Sequence, residues 1–466
     1  MGRSSGLEAY LKKGKHAFVV GAGGVSMSAL CDIFLDMGLR VSGSDMQEGE
    51  TVYALRAKGA HIYHGHKAWQ LDGCDFVVRT AAAHDDNPEI QQARLTGVPV
   101  FERAEAWGVI MRAYRHVFCV AGTHGKTTTT SMAVHIATEA GRDPTAMVGG
   151  VLPLMGSSHR VGSGDLMIAE SCEYMNSFLH FHPTVAAILN VEADHLDFFK
   201  DYEDVRASFV KFLGRLPSGG IAVLNADDPG ALSLAAETDR RVITFGVDTS
   251  ADYMATAIDM QNGCGRFTLT GPDLQAQVTL RVPGRYNILN ALAAAAGCHA
   301  LGIGAEAIEK GLLSFTGARR RFEYKGLYQG ARIYDDYAHH PTELRSLLNA
   351  VEGMHYDRTI LAFQPHTYSR TRALLEDFAA ELRRPDIVCL APIYAARERD
   401  PGDISSETLA AAAGNGAVRA FPDMKSLTET LGGIARPGDL ILTVGAGDIY
   451  RVGELLAAAE HTSAGV

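Results

Sequence analysis

Seven consecutive residues restrict this chain more than any others: Gly122-Thr123-His124-Gly125-Lys126-Thr127-Thr128, set between the apolar run His116 to Val120 and a stretch that reads as a helix to about Ala140. Glycines let backbone amides turn toward an anion, and a helix N-terminus adds positive potential. Lys126 can neutralise phosphate oxygens, and Thr127 offers a hydroxyl to Mg2+. The motif therefore implies ATP or GTP. Val120 stands where the usual spacing has glycine, so the loop is a shortened variant. A strand, a glycine turn and a helix also open a βαβ unit, which requires a parallel sheet with helices on its faces.

The same texture occurs twice more. Upstream, His16 to Val20 is a short apolar run, Gly21-Ala22-Gly23-Gly24 a turn and Val25 to Met37 a helix, with further strands at Val41 to Asp45 and Phe76 to Thr80. Beyond the phosphate loop, strands are expected at Leu166 to Ala169, Val185 to Asn190 and Ile221 to Leu224. After Arg319-Arg320-Arg321-Phe322, a third unit carries strands near Ala331 to Tyr334, Thr359 to Phe363, Ile387 to Ala391 and Leu440 to Val444, with a helix at Pro341 to Val351. A chain of 466 residues at roughly 150 per domain accommodates three α/β domains, with cuts expected at 1–111, 112–322 and 323–466. Since 47% of residues are hydrophobic and 21% charged, each can bury a core.

Charge narrows the chemistry. Lys plus Arg number 43 against 54 Asp plus Glu, a net of -11, so phosphate recognition is expected to be local, without a nucleic-acid surface. The longest apolar candidate for a membrane span, Ala291 to Leu301, is interrupted by Gly297 and His299, and Met1 to Lys15 lacks the apolar core of a signal peptide. The seven cysteines form no C-x-x-C pair, which suits a reducing cytoplasm and no structural zinc.

Three further groups carry chemistry. Gly21, Ala22, Gly23 and Gly24, with Ser28 on the following helix and Ser44-Asp45 closing the next strand, approximate the pattern in which amides meet a diphosphate and an acid meets a ribose; Ser26 replaces the third glycine. Glu170 and Glu173 follow one strand, and Asp194, His195 and Asp197 another. Parallel strands end on one side of a sheet, so both sets should approach the phosphate loop and could hold a hard cation, Mg2+ rather than zinc. In the third unit, Asp335-Asp336-Tyr337-Ala338-His339-His340-Pro341-Thr342-Glu343 and Phe363-Gln364-Pro365-His366-Thr367-Tyr368-Ser369-Arg370 end two strands. Guanidinium and imidazole there suit an anionic substrate, although Thr342-Glu343 after Pro341 would equally begin a helix.

Gly122 to Thr130, Asp335 to Glu343 and Phe363 to His366 closely resemble the ATP-dependent Mur ligases of peptidoglycan synthesis, and the likeness runs from about Lys15 to Glu454. The resemblance implies an N-terminal Rossmann-like domain for a UDP-sugar, a central P-loop-type ATPase domain and a C-terminal Rossmann-like domain. It also implies amide formation driven by ATP, and among the branches it favours the one joining L-alanine to UDP-N-acetylmuramate through an acyl phosphate. Carried over by position, Lys126 would stabilise the transferring phosphoryl group, Thr127 would hold one Mg2+, and Glu173 and His195 a second. Asn287 and Asn290 would meet adenine, Arg321 a phosphate and Asp336 the ribose. Tyr337, His339, His366 and Arg370 would receive L-alanine, with His339 a candidate base.

Some positions depart from the family. Ser171-Cys172-Glu173-Tyr174-Met175 replaces a more acidic string, and Thr367 stands where other members have arginine. The competing readings are a relative that recycles a tripeptide onto UDP-N-acetylmuramate or one that adds glutamate to folate, a nicotinamide-dependent oxidoreductase built on the Gly21 turn, and a nucleotide-gated regulator.

Overall fold

In the computed structural model, which describes residues 6–80, 83–196, 198–396, 398–414 and 416–463, the strands gather into three sheets. The first contains β1 (His16–Val20), β2 (Arg40–Asp45), β3 (His61–His64), β4 (Phe76–Arg79) and β5 (Val100–Glu102), all parallel, in the order β3-β2-β1-β4-β5. Ala17, Phe18, Val19 and Val20 are buried, as a central strand covered by helices on both faces requires. Strand order reverses between β1 and β4. Ligands of such sheets lie at the carboxyl ends of that pair, where the Gly21 turn is.

The second sheet contains β6 (His116–Ala121), β7 (Thr145–Leu152), β8 (Ser157–Arg160), β9 (Leu166–Glu170), β10 (Val185–Ile188), β11 (Ile221–Asn225), β12 (Arg241–Gly246), β13 (Tyr253–Gln261), β14 (Cys264–Gly271) and β15 (Leu274–Pro283). Its order is β15-β14-β13-β12-β11-β10-β6-β9-β7-β8. β6 is flanked by β10 and β9, both parallel to it, so the segments leaving these strands emerge together at one edge. The third sheet contains β16 (Glu323–Tyr328), β17 (Ala331–Asp336), β18 (Arg358–Phe363), β19 (Ile387–Leu390), β20 (Val418–Ala420) and β21 (Asp439–Val444), in the order β16-β17-β21-β18-β19-β20. Among the described residues only β16 pairs antiparallel there.

The expected strands and the helices Val25–Asp36, Lys126–Glu139 and Pro341–Glu352 are present within a few residues. The β7–β8 hairpin, β12 to β15 and the short strands β3, β5, β16 and β20 are not among the strands expected from the sequence. The chain divides into two compact units: Met1–Met254 with Leu269–Ala276 and Asn290–Leu312, and Ala255–Thr268 with Gln277–Leu289 and Leu313–Val466. In the first, one apolar core runs from Phe34 and Phe76 through Trp107 to Phe178, Phe209 and Phe212. Phe178 and Phe212 stack with ring centroids 4.4 Å apart. In the second, cores on the two faces of the third sheet are built around Leu361, Leu440 and Leu442, and around Ile333, Ile360 and Ile441. Among the described residues no helix is long and apolar enough to cross a membrane.

Candidate active site

The phosphate loop leaves β6 through two glycines that no other residue could replace without strain. Gly122 has φ 143° and Gly125 has φ 83°. A Cβ on Gly122 would come within 2.9 Å of the Leu189 Cβ, and one on Gly125 within 2.6 Å of Asn290 Oδ1. The loop is then fixed from β10's side. His124 N donates to Asn190 Oδ1 (2.7 Å), Asn190 Nδ2 donates back to His124 O (3.2 Å), and Glu192 N donates to Thr123 Oγ1 (2.9 Å). Asn190 and Glu192 were missed in the sequence; their signal was their place directly after a strand beside β6.

Lys126 begins the helix, and its Nζ donates to the carbonyls of Gly122 and Thr123 and to Glu173, at 3.0 Å from Oε2 and 3.2 Å from Oε1. Burial works against the Lys126 charge, but Glu173, joined by Cys172 and Glu170, offsets it and holds the ammonium above its ordinary range. Thr127 Oγ1 donates to Glu170 Oε1 (3.1 Å), whose other oxygen accepts from Gly149 N (2.6 Å). Thr128 is half-buried on the first turn. Glu173 is buried, with His195 Nε2 3.7 Å from its Oε1, and His195 packs on the Tyr174 ring at 4.7 Å. Lys126, Thr127, Glu170, Glu173 and His195 thus share one edge of the second sheet, a set of hard donors around a single lysine. Asp197 lies outside the described residues. Asn290 accepts from Thr129 Oγ1 (3.2 Å) and so seats the helix that follows the loop. Asn287 Nδ2 donates to Pro283 O (2.6 Å).

At the first sheet the glycine turn is tied within the protein. Gly21 and Ala22 amides donate to Ser44 O, Gly24 N to Gly21 O, and Gly23 N to Asp45 Oδ2 (2.8 Å). Ser28 and Ser44 are buried. The Ser28 hydroxyl donates to Val25 O, and the Ser44 hydroxyl meets Glu89 and His66, both at 2.9 Å. What the turn presents to an anion is therefore the start of the helix Val25–Asp36, where the Val25 and Ser26 amides precede the first intrahelical donors, Met27 N and Ser28 N, which both donate to Gly24 O. There Arg103 Nη1 donates to Ser26 Oγ (2.6 Å), placing a guanidinium at the same helix start. Arg103 lies 77 residues from Ser26 in sequence, and no local pattern marks it.

In the third sheet, Tyr337, His339, His366 and Arg370 come together. The Tyr337 and His339 rings are 5.5 Å apart, the His339 and His366 rings 5.6 Å, and Arg370 Nη1 lies 3.4 Å from His366 Nδ1. His339 Nδ1 meets Tyr337 O (3.0 Å), and Glu343 Oε2 accepts from His339 N (2.9 Å). Asp336 is buried, its oxygens accepting from Phe322 N and Ala338 N (both 2.8 Å); burial pushes its carboxyl up while Arg321 opposes the shift. Arg321 lies over the Tyr337 ring at 5.2 Å. Arg320 sits between Tyr337 and Tyr450 at 4.8 and 4.6 Å and donates to Asp335 Oδ2 and Gly445 O.

Three family models match the chain: "Mur ligase family, catalytic domain" over residues 16–115, "Mur ligase middle domain" over 120–298 and "Mur ligase, glutamate ligase domain" over 320–447. The chain is 45% identical over 449 residues to the UDP-N-acetylmuramate--L-alanine ligase of Acetivibrio thermocellus, covering 95% of this chain and 96% of that protein. It is 43% identical to the protein of the same name from Clostridium novyi, covering 96% and 98%. Among solved structures, the UDP-N-acetylmuramate-alanine ligase of Thermotoga maritima matches with TM-score 0.81 at 28% identity, covering 96% of this chain and 99% of that one. A murein peptide ligase from Psychrobacter arcticus shares the fold, with TM-score 0.72 at 23% identity over 96% and 98%.

Proposed function

The chain belongs to the Mur ligase family, and from that premise we infer that it joins L-alanine to the lactyl carboxylate of UDP-N-acetylmuramate at the expense of ATP, a step of peptidoglycan precursor synthesis. The observation that carries the reading is near-full-length identity of 45% and 43% to ligases of that name, in a chain that keeps Lys126 at the helix start beside β6. The tripeptide-recycling alternative has the weaker support, since the murein peptide ligase matches at lower TM-score and identity.

The division of labour follows the three sheets. Residues 1–111 take the UDP-sugar, 112–322 take ATP and 323–466 take the amino acid. The substrate carboxylate attacks the γ-phosphate, ADP leaves, and the amine of L-alanine displaces phosphate from the acyl phosphate to form the amide. Like charge opposes the first step, so cationic neutralisation is the main requirement on the protein. Lys126 supplies it, moving from Glu173 to phosphate oxygens. Thr127, Glu173 and His195 are oxygen and imidazole donors that fit Mg2+, and the buried Glu173 carboxylate suits a second positive charge beside Lys126. When bound, the ion would neutralise phosphate charge. Gly122 to Thr128 cradle the phosphates, with Asn287, Asn290, Arg321 and Asp336 contributing to nucleotide binding. The Gly21 to Gly24 turn, with Ser28, Ser44 and Asp45 shaping it and Arg103 adding charge, takes the diphosphate. Tyr337, His339, His366 and Arg370 receive L-alanine, His339 being the imidazole placed to hold the amine or take its proton. The reaction is that of a cytoplasmic enzyme acting on small molecules.

Phosphate release from ATP with UDP-N-acetylmuramate, with and without L-alanine, tests this reading when product mass is followed. Alanine-dependent release with the amide mass is expected. Release stimulated by a tripeptide but not by alanine would transfer the chain to the recycling branch.

A further inference from the structure

Thr367, in the amino-acid group, is a β-branched residue at φ 67° and ψ 144°. That region is almost reserved for glycine and persists only where the surroundings enforce it. Contacts that enforce it come from one segment. Tyr394 N donates to Pro365 O (2.8 Å) and Thr367 N to Tyr394 O (2.9 Å), and the Tyr394 ring stacks on His366 at 5.6 Å with 19° between planes. Four residues on, Glu398 takes the next two amides: its Oε2 accepts from Tyr368 N (2.6 Å) and Ser369 N (2.9 Å), and its Oε1 accepts from the Ser369 hydroxyl.

The result is a clamp on both sides of the strained residue. Thr367 turns the backbone between His366 and Arg370, and that turn brings the Arg370 guanidinium to 3.4 Å from His366 Nδ1. Tyr394 fixes the chain before the turn and Glu398 fixes it after. We propose that Glu398 is a positioning residue for the amino-acid substrate, holding Tyr368 and Ser369 so that Thr367 stays in its strained conformation and His366 and Arg370 stay converged. The proposal rests on the assignment of His366 and Arg370 to L-alanine. It makes Glu398 act on that substrate alone.

The test is a set of steady-state parameters for the full-length enzyme and Glu398→Ala, Glu398→Gln and Arg370→Ala. In Glu398→Ala, KM for L-alanine rises about tenfold while KM for ATP and for UDP-N-acetylmuramate stay within about twofold, the pattern of lost substrate positioning. Glu398→Gln keeps a carbonyl acceptor for the two amides and restores KM to within about threefold. An unchanged alanine KM in Glu398→Ala, or a loss shared by all three substrates, overturns the proposal. If Arg370→Ala also leaves the alanine KM unchanged, the pocket assignment falls and the proposal with it. If Arg370→Ala raises it and Glu398→Ala does not, the proposal alone falls. Should Glu398→Ala fail to fold, Glu398→Asp, which withdraws the carboxylate by one methylene, is read by the same outcomes.

Discussion

Lys126 Nζ lies 3.0 Å from Glu173 Oε2, and Glu173 is only 1% exposed. The lysine proposed to meet phosphate is thus held by a buried carboxylate, and neither charge can be removed alone without leaving the other uncompensated. Lys126→Met is expected to lower turnover by at least about a thousandfold and to cost about 3 kcal/mol of stability. The double variant Lys126→Met with Glu173→Gln regains most of the stability but none of the turnover. Urea unfolding and phosphate release on the same samples check both halves; near-normal turnover in Lys126→Met would remove the phosphate-loop assignment.

Gly125→Ala places a methyl against Asn290 Oδ1 on a backbone of positive φ. A weakening of ATP binding is expected, with about 1–3 kcal/mol of strain and no change in KM for the other two substrates. Titration with a fluorescent ATP analogue measures it, and wild-type affinity in a folded variant would count against the loop geometry.

Arg103 is expected to contribute to diphosphate affinity through a charge-assisted hydrogen bond. Arg103→Ala raises KM for UDP-N-acetylmuramate about tenfold or more and leaves KM for ATP and L-alanine in place. Equal effects on all three would show that Arg103 only supports Ser26.

His135, buried in the helix Lys126–Glu139, has its pKa lowered by burial from 6.5 to about 4. A histidine depressed in the folded state stabilises the protein above its unfolded pKa, and that contribution is lost as pH falls. Between pH 6.5 and about 4 the unfolded chain binds the proton first, so stability declines by up to about 3 kcal/mol. His135→Gln should flatten this part of the acid limb in denaturant melts from pH 7 to pH 4.5. An acid limb identical to wild type would place the acid sensitivity elsewhere.

The alternation of strand, glycine turn and helix was readable because parallel sheets demand near-continuous apolar runs, as at Ala17 to Val20 and Leu440 to Val444. The phosphate loop was readable for a similar reason, its chemistry lying within seven adjacent residues. The hairpin β7–β8 and the strands β13 to β15 were not: the apolar β7 is broken by Gly149-Gly150, and β15 alternates buried apolar with exposed polar residues from Leu274 to Val282, a two-residue period in place of a continuous run. Long-range partners were equally hidden. Nothing near Gly23 shows that Asp45 will occupy its amide, nothing near Ser26 points to Arg103, and Glu398 lies 29 and 30 residues from the amides it accepts. Motifs report which groups are present, and the pairing between distant segments decides which of them stay available.

Asn190 grips His124 by both its amide and its carbonyl, through hydrogen bonds made wholly within the protein. The entropy of shaping that loop is thereby included in the folding equilibrium and is absent from the binding step. Nucleotide binding then needs little reshaping of the loop, and in a chain of net charge -11 it depends on Lys126 and on the amides at the helix start rather than on an overall positive field.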